Sequence, residues 1–85
     1  MIYYVYLLLS KNLNNYISYV GYTNNISKRL LLHNSSKGAK FTKGKKWKLI
    51  YYVKYYNKSN AMKEEYKLKK NYKLRKKIIA EYIKK

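Results

Sequence analysis

YVGYTNNISKRLLLHN, residues Tyr19 to Asn34, decides how the rest of the chain is read. YVGYT is β-branched and aromatic, as a strand is, and it leads through Asn24 and Asn25 into ISKRLLLH, whose apolar residues recur at helical spacing. Either asparagine can cap a helix over about residues 26–33, because its side-chain oxygen accepts one of the unpaired amides of the first turn. In a strand Tyr19 and Gly21 point to one face, and the missing side chain at Gly21 lets another group approach closely. On the helix Arg29 and His33, four residues apart, lie about 40° from each other around the axis. The stretch is therefore either a packing unit with polar decoration or one wall of a pocket.

Upstream, IYYVYLLLS at residues 2–10 is apolar on both alternating faces, which suits a strand covered on both sides. KNLNN at residues 11–15 is a turn, with asparagines that tolerate left-handed backbone, so residues 2–23 read as a hairpin. That pairing brings Tyr6 to the side of Tyr19 and Gly21. Downstream, NSSKGAKFTKGKKW at residues 34–47 holds two of the three glycines and five lysines, and reads as a basic loop with almost nothing to bury. KLIYYVKYY is a third strand, Ser59 is the expected N-cap of a helix over residues 60–71, and a last helix covers residues 73–84. The order ββαβαα predicts an α+β fold, a small three-stranded antiparallel sheet flanked by helices, as one domain over residues 1–85.

Charge narrows the partners. Lys and Arg number 21 against 3 Asp and Glu, a net charge of +18, and 13 tyrosines and one tryptophan are available for stacking. Such a chain attracts polyanions, nucleic acid first among them. The blander reading is compositional drift, since Lys, Asn, Ile and Tyr are enriched together. The scarcity of acids excludes more than the excess of bases proves. Only Glu64, Glu65 and Glu81 are present, too few for a multi-carboxylate two-metal centre or a glycosidase pair. One His and no Cys argue against zinc, and no GxxxxGK[ST] loop is present. A single Mg²⁺ on one carboxylate, completed by water and substrate phosphate, fits what remains. Residues 2–9 are far too short to span a bilayer and lack the flanks of a signal peptide, so the expectation is a soluble cytoplasmic protein without a membrane partner.

Several of these elements together resemble the GIY-YIG nuclease superfamily. Tyr4-Val5-Tyr6 is similar to the GIY element and Tyr19-Val20-Gly21 to YIG; Arg29 follows the glycine by eight residues and His33 follows Arg29 by four. Ala61-Met62-Lys63-Glu64-Glu65 resembles the helix carrying the metal-binding glutamate, with Glu65 at the matching position, and HNSSKGAKFTKG is similar to the loop of the small standalone bacterial branch. The likeness spans residues 3–70. Tyr4 replaces the first glycine of GIY, and Trp47 stands where that branch often has proline.

The resemblance implies an endonuclease that hydrolyses phosphodiester bonds, most naturally of DNA, single-stranded or branched, with one divalent cation, Mg²⁺ or Mn²⁺. It implies Glu65 as metal ligand, Tyr19 positioning or deprotonating the attacking water, Tyr6 hydrogen-bonding water or phosphate, His33 orienting or relaying a proton, Arg29 gripping the phosphoryl oxygens, and Gly21 as the structural neighbour of the site. Lys37, Lys40, Lys43, Lys45 and Lys46 read as backbone phosphate contacts, which add affinity without sequence information.

Each residue has a structural alternative: strand tyrosines pack across the sheet, Arg29 and His33 can decorate a helix, and Glu65 can pair with Lys69 one turn on. The competing function is a non-catalytic basic nucleic-acid-binding module on the same fold. The specificity domains of larger relatives are not in this sequence, and the expectation is a chain that works alone or is guided by a protein partner.

Overall fold

The computed structural model describes residues 1–84. Strands β1 (Tyr3–Asn12) and β2 (Asn15–Thr23) form the hairpin, α1 (Ile26–Asn34) follows, and a single 3₁₀ turn (Lys40–Thr42) leads to β3 (Lys48–Tyr55). Helices α2 (Lys58–Lys70) and α3 (Tyr72–Lys84) complete the order ββαβαα. The sheet is antiparallel in the order β2-β1-β3. The strand with two apolar faces is thus the central one: Val5 through Ser10 are all buried.

The two faces build two cores. Val5, Leu7 and Val20 face α2 and α3, packing with Ala61, Leu68, Ile78 and Ile79. Tyr6 and Leu8 face the other way, toward Leu30 of α1, Leu49 and Trp47. Trp47 corrects the reading of residues 34–47 as a loop with little to bury. Its indole is buried and donates Nε1–H to the carbonyl of Thr42, itself fully buried, while Asn34 grips the Trp47 backbone at both N–H and C=O. The loop closes the sheet's second face, as one helix of 9 residues cannot do by itself.

Two local expectations shift, and one open choice is decided. The left-handed residue of the hairpin turn is Leu13 (φ 56°), not one of its asparagines. Asn25 rather than Asn24 caps α1, accepting from Lys28 N–H. Helix α2 begins two residues before the expected start, capped by Asn57, whose side chain accepts from Asn60 N–H. No helix among the described residues is long and apolar enough to cross a membrane.

Candidate active site

Strand register starts the site. Tyr6 lies opposite Gly21 and Leu8 opposite Tyr19, so both phenols rise from the same face of the sheet. The Tyr6 ring lies across Gly21: a Cβ there would overlap the phenol oxygen and Cζ. Glycine at this position is a steric requirement for the tyrosine beside it.

Helix α1 places His33 under Tyr6 and leaves Arg29 half-buried at the rim. The imidazole is 0% exposed and bonded at both nitrogens, Nε2 to the Tyr6 hydroxyl (2.9 Å) and Nδ1 to the Thr42 hydroxyl (2.9 Å). Gly38 closes the remaining side, since a Cβ on it would strike the ring. Burial, and then the nearby Arg29 charge, lowers the His33 pKa from its ordinary value, so the ring is neutral near pH 7.

Burial raises the Tyr6 pKa to about 12, Arg29 beside the phenol pulls it back, and the Tyr19 and Glu65 charges raise it. At Tyr6 desolvation outweighs the guanidinium, so the phenol keeps its proton. A hydroxyl that holds its proton so firmly gives it to a partner only as it receives another.

Tyr19 is half-buried, its ring 5.0 Å from His33, 6.1 Å from Phe41 in a stacked arrangement and 6.4 Å from Trp47. Glu65 comes from the other side of the sheet on α2, which packs against β1 and β2. Helices α1 and α2 cover opposite faces of the sheet, and Glu65 is the last and smallest of the charges acting on the Tyr6 phenol. The Glu65 carboxylate is largely shielded and pairs with Lys69 at 3.6 Å, the one-turn contact foreseen from spacing; Glu64 pairs with Lys67 instead.

Among the described residues no three His, Cys, Asp or Glu side chains come together. A lone partly shielded carboxylate suits a hard cation that keeps most of its waters, as Mg²⁺ does, and does not suit zinc. Of the loop lysines, Lys37, Lys40, Lys43 and Lys46 are exposed, and Lys45 lies over the Phe41 ring at 5.6 Å. Thr42 and Gly38 are the residues of this site that sequence reasoning passed over. Both stand among lysines in a segment without periodicity, and neither type announces a contact with an imidazole.

Comparison with known proteins identifies the family. The family model described as the GIY-YIG catalytic domain matches residues 2–78. A UPF0213 protein of Oceanobacillus iheyensis is 45% identical over 67 residues, covering 78% of this chain and 74% of that one. Another, from Clostridium perfringens, is 43% identical over 68 residues, covering 79% and 70%. The solution NMR structure of a UPF0213 protein from Bacillus halodurans superposes with a TM-score of 0.50 at 30% identity, over 94% of this chain and 84% of that one. The fold is that of a nuclease domain, and the chain belongs to the GIY-YIG family.

Proposed function

We propose that the chain is an endonuclease acting on DNA in the cytoplasm, single-stranded or branched, with one Mg²⁺ or Mn²⁺ held by Glu65. The observation that carries this reading is the buried Tyr6–His33 hydrogen bond, with the Tyr19 ring 5.0 Å from the imidazole and the Arg29 charge acting on both groups.

When bound, the cation supplies Lewis-acid stabilisation of charge on the scissile phosphate and the leaving oxygen. The chain's own groups do the rest. Arg29 holds the non-bridging oxygens, where its planar fork opposes the charge that grows as water attacks. Tyr19, braced by three rings, orients that water. As the O–P bond forms, the water proton passes to the Tyr6 oxygen and the Tyr6 proton passes to Nε2 of His33. The P–O bond to the leaving oxygen breaks, that oxygen takes its proton from solvent, and the imidazolium, disfavoured by burial and by Arg29, returns its proton through Tyr6. The base is thus an imidazole reached through a phenol, which avoids forming a phenolate with a pKa near 12. The exposed loop lysines hold the strand by its phosphates.

The test is nicking of plasmid and single-stranded DNA by the chain with Mg²⁺, Mn²⁺ or EDTA. Cleavage that needs the metal supports the proposal. Tight, salt-sensitive binding without cleavage under any metal favours the non-catalytic module.

A further inference from the structure

The residues of the 36–47 loop do more than carry charge. Gly38 lies against the His33 ring, Thr42 hydrogen-bonds it, and Phe41 and Trp47 lie against Tyr19. One contact in this set has a direction that can be worked out. The Thr42 hydroxyl has a single proton, and it donates that proton to the carbonyl of Ala39 at 2.8 Å. Toward His33 it is therefore an acceptor, and Nδ1 must carry the hydrogen. In a neutral ring that leaves Nε2 with a lone pair, so Tyr6 donates.

We infer that Thr42 is a positioning residue: its hydroxyl, polarised onto the Ala39 carbonyl, fixes His33 in the Nδ1–H tautomer so that Nε2 always accepts from Tyr6. The opposite tautomer would point Nε2–H at the phenol oxygen and occupy it. Tyr6 could then neither pass its proton inward nor offer that lone pair to water. Nothing else contacts Nδ1 by hydrogen bond among the described residues, so the choice between tautomers falls to Thr42 alone. The dependence runs through the loop. Thr42 closes the 3₁₀ turn whose first residue is Lys40, and Ala39 is the N-cap of that turn. The basic segment that would hold the phosphates is also the one that sets the direction of the proton path.

The inference rests on the proposed function only for its consequence, and its first readout needs no cleavage. The chain has one histidine, so nitrogen-15 NMR of the imidazole reports His33 without assignment. The full-length protein should show a protonated Nδ1 and an unprotonated Nε2 at pH 7, and Thr42→Ser, which keeps the hydroxyl, should show the same. Thr42→Val, of similar shape but no acceptor, should move the proton wholly or partly to Nε2. Thr42→Ala serves in its place if the valine does not fold. With cleavage as the second readout, kcat of the valine variant should fall between about 10-fold and 10⁴-fold, the span for lost orienting partners and wrong tautomers, with KM unchanged and activity restored by serine. An Nε2–H signal in the wild type, or an unchanged tautomer in both folded variants, overturns the inference. A tautomer that shifts in a chain that cuts nothing leaves the inference standing and removes the nuclease reading.

Discussion

Gly21→Ala is the substitution whose effect follows most directly from the packing. The new methyl would overlap the phenol oxygen of Tyr6 and lie 2.6 Å from Cζ, and the ring cannot step aside freely, being 2% exposed and bonded to His33. Overpacking of this kind costs about 1–3 kcal/mol. If the ring swings out, His33 Nε2 is left buried and unpaired, which costs a similar ~1–3 kcal/mol. The chain relieves whichever strain is cheaper, so the net loss should be about 2 kcal/mol. In a domain of this size each kcal/mol moves Tm by roughly 4–8 °C.

The two mechanisms also predict coupling. Tyr6→Phe removes the more severe overlap and the hydrogen bond in one step. The double variant should therefore lose less than the sum of the singles by about 1 kcal/mol, within the range for contacting residues. Thermal and urea unfolding of the four proteins close the cycle. Additivity within ~0.5 kcal/mol, the behaviour of independent sites, would refute the claim that Gly21 exists to admit the Tyr6 hydroxyl.

Two further outcomes follow from the electrostatics. The His33 pKa is lowered in the folded state, so between the ordinary value of 6.5 and the folded value the unfolded chain binds more protons. Stability from this group is full above pH 6.5 and is lost as pH falls through the folded pKa, so Tm should drop from pH 7.5 to pH 5, and His33→Gln should flatten that slope. The loop lysines act through phosphate contacts. Replacing any one of Lys37, Lys40, Lys43 and Lys46 by Gln should therefore reduce the slope of log Kobs against log salt by about 0.7–0.9 for each contact removed, in fluorescence-anisotropy titrations. A slope that does not move would show that the residue faces solvent when DNA is bound.

How far the sequence was legible depended on periodicity. The double-faced apolar run at residues 2–9 announced a covered strand, and it is the central one. The spacing of Tyr19 and Gly21 announced a shared face, and the register bears that out. Arg29 and His33 share a helix flank, yet one reaches the rim and the other is sealed inside, because about 40° of rotation is enough to turn a side chain from solvent into a core.

Elsewhere the local signals were ambiguous or silent. Asn57 and Ser59 are both good caps by residue type, and the structure uses Asn57. The 36–47 loop was illegible for a different reason: Gly38, Thr42 and Trp47 each act through a single tertiary contact, and no repeat in the chain marks residues of that sort.

The most direct measurement is the single-turnover rate of cleavage of one defined oligonucleotide across a Mg²⁺ titration, for wild type, Glu65→Gln and Arg29→Ala. Glu65 contributes only a partly shielded pair with Lys69 to the fold, so the Gln variant should keep its Tm within a few degrees, a one-turn pair being worth about 0.3–0.5 kcal/mol. Wild type should saturate with Mg²⁺. Glu65→Gln should stay at the EDTA background, and Arg29→Ala should keep the metal dependence at a rate lowered by about 10²–10³-fold. Cleavage by Glu65→Gln at the wild-type rate and the same Mg²⁺ midpoint would contradict a metal site built on that carboxylate.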